Sequence, residues 1–335
     1  MTQKTARLYQ LAPEKNSLMT CYVLVTSEGK LIVFDGGIDG YGKENAPYLP
    51  AALRAILGLP EDGYFEVEVW FLSHGHTDHI YELAKMLKAY TKDSAYKINH
   101  LYFNFPAFGT EWKSSGGEGD YSLAAIDALR EGLDNYARVN ELSGWDYDSV
   151  NGAVITPEAI RAGLTFSYDG CFIDVLQTWA PEDKIVNSNS TILRLRIGEH
   201  SVLFLGDAYT DSGDRLLAAY GADTLKSEYV QLAHHGQHGC SKEFYLSVGT
   251  DKAVRLWHAP VWVWSVYRHG AIVTDETRSW FGLPEKPEDY FAAGCDRTGR
   301  DLVAGLYSAY PEDPTKVSDW TEEILEEQCA AVFAE

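Results

Sequence analysis

His74-Gly75-His76-Thr77-Asp78-His79 gathers three imidazoles and a carboxylate into six consecutive residues. A segment that short cannot scatter them, and the side-chain set is that of a metal site rather than of an exposed polar turn. The run before it, Phe65 to Ser73 (FEVEVWFLS), is apolar and rich in β-branched and aromatic residues, which reads as a buried strand. After it, Ile80, Leu83, Ala84 and Leu87 recur at helical spacing, so Ile80 to Tyr90 reads as a helix. The motif therefore lies on a strand-to-helix turn at the carboxyl end of a strand, where α/β layers place their chemistry. There the backbone can aim His74 and His76 at one cation and Asp78 and His79 at a second.

Three other apolar runs end in metal-competent residues. Asp35-Gly36-Gly37 follows LIVF, where the glycines permit close backbone approach and the carboxylate can orient a ligand histidine from behind. Gly206-Asp207 follows SVLFL, and a carboxylate at a sheet's carboxyl edge can bridge two cations. His234-His235-Gly236 follows YVQLA, and one of these imidazoles completes the second cation's shell. Strand alternation does not choose between them; His234 is slightly preferred.

The chain has 335 residues, 45% hydrophobic and 13% aromatic, enough for a thick core. No linker, low-complexity tract or internal repeat divides it, so a single domain over 1–335 is expected. A helical insertion around 106–160, whose Gly/Ser-rich start would form a lid, and an acidic C-terminal helix around 319–333 complete that expectation. The opening MTQKTARLYQL lacks the apolar core of a signal peptide, and no stretch is long and apolar enough for a membrane span, so a soluble cytoplasmic protein is the expectation. Five cysteines without CxxC spacing argue against both a disulfide framework and a thiolate metal cluster. Cys240, five residues after His235, is the thiol placed to border the metals. A net charge of −21 opposes a nucleic-acid backbone, so the expected partner is a small molecule, drawn if anionic by the cations themselves. The pattern specifies no oligomeric state.

Further strands are expected at Ala6 to Leu11, Leu18 to Thr26, Lys30 to Asp35, His100 to Asn104, Leu164 to Tyr168, Phe172 to Gln177, Thr191 to Ile197, Ser201 to Leu205, Tyr229 to Ala233, Pro260 to Val266 and Leu302 to Tyr307. Helices are expected near Pro50 to Leu57, Ser122 to Leu142, Ser212 to Tyr220 and Lys242 to Ser247. The result is a hairpin-rich opening, strand-helix alternation and then a second sheet.

In this order, the Asp35-Gly36-Gly37 turn, the His74 to His79 motif, Gly206-Asp207 and His234-His235-Gly236 resemble the signature of the metallo-β-lactamase fold superfamily over about residues 6 to 307. LFLGDA with HHG looks like the branch related to the hydrolase domain of ComEC-type competence proteins, here free-standing. The resemblance implies an α/β fold, a four-layer αββα sandwich of two mixed sheets flanked by helices, with a dinuclear centre at one edge. It implies His74 and His76 on the first metal, Asp78 and His79 on the second, Asp207 bridging, and His234 or His235 on the second. It implies two divalent ions, usually zinc, with manganese or iron in some branches. One departure stands out: most members supply a third histidine to the first metal from a loop that here reads Asn187-Ser188-Asn189-Ser190. ComEC-like members have a similar Asn/Ser-rich loop, so an amide oxygen of Asn187 or Asn189, or a water, would replace the imidazole and favour a harder metal.

The mechanism expected is metal-dependent hydrolysis. A water bridging the two cations is acidified and attacks phosphorus or a carbonyl, with Asp78 orienting it. A phosphodiester is the expected substrate. An acyl substrate (lactam, lactone or thioester) and a non-catalytic metal-binding protein are the alternatives. Di-iron oxidoreductases of the same fold carry an acidic ligand where this chain has His76. His238, beside the HHG loop, and His269 are the candidates to protonate a leaving group or bind an anion. His100, His200 and His258 carry less weight.

Overall fold

In a computed structural model the described residues are 6–11, 20–37, 48–105, 119–142, 160–180, 185–257, 274–281, 291–292 and 306–309. They build two sheets. The first joins β1 (Arg7–Leu11), β2 (Tyr22–Val25), β3 (Leu31–Phe34), β4 (Phe65–Leu72), β5 (Tyr96–Ile98), β6 (Leu101–Phe103) and, at the far side of β1, β14 (Leu306–Ala309). The second runs in the order β13-β12-β11-β10-β9-β8-β7, from β13 (Phe291–Ala292) and β12 (Gly249–Trp257) through β11 (Ser227–Gln231), β10 (His200–Phe204), β9 (Ile192–Ile197) and β8 (Cys171–Gln177) to β7 (Thr165–Tyr168). Both sheets are mixed: β3-β4 and β10-β11 are parallel, whereas β1-β2-β3 and β7 to β10 are antiparallel.

Alternation along β3 shows the layering in four residues. Leu31 and Val33 join an apolar cluster with helices, while Ile32 and Phe34 join a cluster shared with the second sheet. In β4 the register against β3 shifts, with Leu31 opposite Val67 but Ile32 opposite Val69, so Glu68 is an extra residue. Beyond this bulge the faces exchange parity: Trp70 and Leu72 face the helices, and Val69 and Phe71 face the other sheet. Between the sheets Phe34 stacks on Phe204 at 4.5 Å and on Phe71 at 5.8 Å.

Helices α1 (Tyr48–Leu57), α2 (Thr77–Lys88) and α3 (Gly119–Val139) cover the outer face of the first sheet, through Leu53, Leu83, Leu87, Leu129 and Leu133 among others. The outer face of the second sheet packs on α4 (Thr210–Tyr220), α5 (Ala222–Leu225) and α6 (Lys242–Val248), with Trp280 of α7 (Thr274–Trp280) at the margin. Three apolar clusters thus separate four layers, helix-sheet-sheet-helix. No described helix is long and apolar enough to cross a membrane.

Several expectations need adjusting. The helix expected from Ser122 begins at Gly119 and packs Ala125, Ile126, Leu129 and Leu133 into the core against α2. Strand β5 is too short, at three residues, for its alternation to register, and β12 opens with the polar GTDKA, so neither was anticipated. The lid segment up to residue 118, the strand expected at Pro260 to Val266, the helix around 319–333, His258 and His269 lie outside the described residues.

The contact of α2 with α3 generates a test. A Cβ on Gly132 of α3 would lie 2.7 Å from Ala84 O and 3.0 Å from Leu87 Cβ. Ala is favoured over Gly in a helix by about 1 kcal/mol, but overpacking a tight contact costs about 1–3 kcal/mol. Gly132→Ala is therefore expected to lower the urea midpoint; a midpoint at or above wild type would contradict the close approach.

Candidate metal centre

Loops after β3, β4, β10 and β11 meet at one edge of the sandwich. Beyond β4, Ser73 and His74 precede α2, whose N-cap position is His76 in extended conformation. Asp35, after β3, is left-handed at φ 60° and is held there: its N–H donates to Phe71 O at 2.8 Å, and its carbonyl accepts from Trp70 Nε1 at 2.9 Å. Gly37 N donates to His79 O at 3.0 Å and Glu82 N to Gly37 O at 2.8 Å, so the β3 loop is laced to the first turns of α2.

Across the sandwich, Gly206 turns the chain out of β10 at φ +55°, and a Cβ there would lie 2.8 Å from Ser190 Oγ and 3.0 Å from Ser73 Cβ. Only glycine fits so close a meeting of the two sheets. Buried Gln231 fastens this turn: its Oε1 accepts from Leu205 N at 2.8 Å and Gly206 N at 3.0 Å, and its Nε2 donates to Gly206 O at 3.1 Å. Ser190 Oγ accepts from Asp207 N at 3.1 Å, and Thr191 N donates to Ser73 O at 2.7 Å. The turn after β11 places His234 and His235 in succession in left-handed conformations, φ 51° and 55°. Such backbone strain in non-glycine residues persists only where the surroundings hold it, and it concentrates at functional sites.

Two groups of metal-competent side chains result among the described residues: His74, His76 and Asp207, and Asp78, His79, Asp207 and His235, each with ligand atoms within 4.8 Å of one another. Asp207 belongs to both. Its Oδ1 lies 3.0 Å from His79 Nε2, and its Oδ2 lies 3.7 Å from both His74 Nε2 and His235 Nε2. His235 Nε2 is 2.8 Å from Asp78 Oδ2. His74, His79, Asp207 and His235 are at most 2% exposed, while Asp78 opens to solvent at 18%.

Burial and mutual charge set the protonation. Burial pushes His74 well below the ordinary imidazole value, helped by the charge of His79, and burial also lowers His76. Burial opposes charging His79 too, but Asp207 and Asp35 on either side outweigh it and raise its proton affinity well above the ordinary value. Burial likewise works against the carboxylates of Asp78 and Asp207. The hydrogen bond from His235 and the charges of His79 and His235 reverse this for Asp78, and His79 and His235 do so for Asp207, so both stay ionised.

Asp35 stands behind the groups, its Oδ2 2.8 Å from His79 Nδ1. Of the two adjacent histidines, the geometry selects His235, against the preference for His234. The His234 ring belongs to neither group; its Nδ1 is hydrogen-bonded to Gln237 O and its plane lies edge-on to Tyr209 at 5.2 Å. Asn189 is not placed as a ligand: its Oδ1 accepts from Ala180 N at 2.8 Å and its Nδ2 donates to Ile185 O at 2.9 Å, so the amide is consumed in closing its own loop. Asn187 donates Nδ2 to Tyr209 Oη at 2.8 Å, and its Oδ1 is buried. Ser190 of this loop reaches the ligands, its Oγ lying 3.4 Å from His74 Nδ1. His238 is exposed at φ 50° and belongs to neither group. Cys240 is a buried thiol against Ala208 O, and burial drives its pKa far up, which removes thiolate chemistry. His100 stacks on Tyr102, and His200 pairs with Glu228 at 2.5 Å. Gln231, Ser73 and Ser190 were missed because amides and hydroxyls near strand ends are common and gain meaning only from contacts.

The donor set suits divalent cations. His74 Nε2 is buried with no hydrogen-bond partner among the described residues, as a ligand nitrogen would be. Two ionised carboxylates beside four imidazoles provide the nitrogen and oxygen donors that zinc, manganese and iron accept. A histidine backed by a carboxylate, as His79 is by Asp35, is the usual support of a metal ligand.

A family model described as the metallo-beta-lactamase superfamily matches residues 19–232. No curated protein matches the chain by sequence. Solved structures similar to it include the metallo-beta-lactamase fold protein YhfI from Bacillus subtilis, with 12% identity over 83% of this chain and 93% of that one and a TM-score of 0.39. CmlA, a diiron beta-hydroxylase from Streptomyces venezuelae, matches at 14% identity over 72% of this chain with a TM-score of 0.34. Zn(2+)-bound PqqB from Methylobacterium extorquens matches at 11% identity over 63% of this chain with a TM-score of 0.33. The chain spans 37% of the CmlA chain and 58% of the PqqB chain.

Two outcomes are expected here. Gln231→Ala strands the N–H groups of Leu205 and Gly206 inside the second sheet, and each unsatisfied buried group costs about 1–3 kcal/mol. Urea unfolding should register a loss of that order, and an unchanged midpoint would show that the clamp contributes nothing. Alkylation of the native protein followed by peptide mapping should leave Cys240 unmodified until denaturant is added; rapid native labelling would contradict its burial.

Proposed function

The chain belongs to the metallo-beta-lactamase superfamily, and from that premise we propose that it is a metal-dependent hydrolase acting on a small phosphodiester or related phosphoester. The observation that carries this reading is the sharing of buried Asp207 by two ligand groups at the carboxyl edge of both sheets. Divalent cations bound there supply Lewis acidity, acidifying a water and stabilising negative charge on a substrate oxygen. Zinc is the first choice, with manganese or iron also suited to nitrogen and oxygen donors.

In this reading the chain's own residues divide the work. His74 and His76 would hold the first ion and Asp78, His79 and His235 the second, with Asp207 a member of both ligand groups. Asp35 fixes the ring of His79. Asp78, held ionised and open to solvent at 18%, accepts a hydrogen bond from the attacking water and orients it. The 187–190 loop contains no histidine, so the first ion would have fewer protein ligands and a coordination position that a substrate oxygen would take. Gly206-Asp207 with His234-His235-Gly236 and this Asn/Ser-rich loop support the choice of a phosphoester through their resemblance to the ComEC-like branch. The net charge of −21 disfavours a long polyanion, so the substrate is small.

Chelator-stripped protein reloaded with zinc, manganese or iron tests this, with metal content read by mass spectrometry and turnover on bis(p-nitrophenyl) phosphate. Wild type should hold two ions per chain and cleave the diester only when loaded. Asp207→Ala should lose both ions and reduce turnover to background, while His76→Ala should keep about one ion. Full metal content in Asp207→Ala would sink the shared-carboxylate centre. A fully loaded wild type that cleaves no phosphoester would sink the substrate class alone.

A further inference from the structure

Ser73 stands behind both ligand groups. Its Oγ lies 2.9 Å from Asp35 Oδ2, 3.0 Å from His74 Nδ1 and 3.3 Å from His79 Nδ1. Asp35 Oδ2 is 2.8 Å from His79 Nδ1, and Asp35 Oδ1 accepts from Ser73 N at 2.7 Å. We propose that Ser73 is a positioning residue that ties His74 to Asp35, so that one buried carboxylate orients a histidine in each of the two ligand groups. The inference rests on the metal-centre reading above, in which Nε2 of His74 and of His79 is the ligating atom.

Counting protons assigns every link. A hydroxyl has one proton to give and two lone pairs to offer, whereas an ionised carboxylate only accepts. The Ser73 proton therefore goes to Asp35 Oδ2, and Ser73 Oγ is left to accept. An imidazole that offers its Nε2 lone pair to a cation carries its proton on Nδ1. For His79 the nearer acceptor of that proton is Asp35 Oδ2, at 2.8 Å against 3.3 Å to Ser73. For His74 the nearer acceptor is Ser73 Oγ, at 3.0 Å against 3.4 Å to Ser190 Oγ. The chain then runs from His74 Nδ1–H to Ser73 Oγ–H to Asp35, and Asp35 also receives His79 Nδ1–H.

The anchor is rigid. Asp35 is held at φ 60° by its N–H on Phe71 O, and its carbonyl takes hydrogen bonds from Trp70 Nε1 at 2.9 Å and Cys21 Sγ at 3.3 Å. Ser73 is itself 8% exposed and meets the second sheet through its backbone carbonyl, which accepts from Thr191 N. Removing the Ser73 hydroxyl frees the His74 ring and leaves the direct Asp35 to His79 bond intact. Removing the Asp35 charge loosens both.

Zinc titration of the chelator-stripped full chain against a chromophoric chelator tests this, with His76→Ala identifying which binding step belongs to the His74 group. Ser73→Ala should weaken that step by about 10–100-fold, the usual effect of losing a ligand's supporting hydrogen bond, and leave the other step unchanged. In proton NMR the zinc-loaded wild type should show downfield, exchange-protected Nδ1–H signals for both histidines, and Ser73→Ala should lose the His74 signal alone. Asp35→Asn should weaken both steps. Two unaltered steps in Ser73→Ala, or both weakened equally, would overturn the proposal. So would a loss at the His74 step caused by Ser190→Ala and not by Ser73→Ala. A wild type that binds no zinc overturns the metal-centre reading itself and the proposal with it.

Discussion

Ionised carboxylates buried at a sheet edge are the constraint on which the rest of this structure depends. Asp207 is 1% exposed and shares a group of ligand atoms within 4.8 Å of one another with Asp78, in surroundings where an uncompensated charge is expensive. The protein answers with four imidazoles around these two groups and with a third carboxylate, Asp35, behind His79. Cations between the groups would offset these charges, and the His79 ring, held between Asp207 and Asp35, has its proton affinity raised by both.

Bringing those groups together is the task of the αββα frame. Parallel pairs β3-β4 and β10-β11 end at the same edge, so their outgoing loops converge from two different sheets. Where the sheets meet, side-chain volume is forbidden: Gly206 leaves no room for a Cβ between Ser190 and Ser73. Backbone hydrogen-bonding groups exposed by that turn are taken up by Gln231, which makes a single buried amide the fastener of the loop that carries Asp207. The left-handed conformations of Asp35, His234 and His235 show the same balance, local strain held by surrounding hydrogen bonds.

Much of this was legible in the residues. The run FEVEVWFLS and the helical spacing after it located β4 and α2 to within a few residues, because apolar periodicity reports burial directly. The polar residues at the ends of β3, β4, β10 and β11 announced themselves by interrupting apolar strands. Shorter or polar elements stayed hidden: β5 has three residues, and β12 begins with GTDKA. Supporting residues stayed hidden for another reason. A serine or glutamine at a strand end has no pattern of its own, and its role exists only as a distance to something far away in sequence, as Gln231 is to Gly206.

Periodicity in the sequence tied His74, His76, Asp78, His79, Asp207 and Asp35 to strand ends, and the resemblance of those motifs to a known superfamily implied the layered fold and the edge at which they gather. Tertiary structure alone grouped His235 rather than His234 with Asp78, His79 and Asp207: of two successive left-handed residues, the first ring meets Tyr209 and the second Asp78. It alone showed that Asn189 spends its amide on its own loop while Ser190 faces His74. Periodicity records which face of an element is buried; which atom a turn residue presents depends on φ, ψ and the packing that holds them, and those are set by the whole fold.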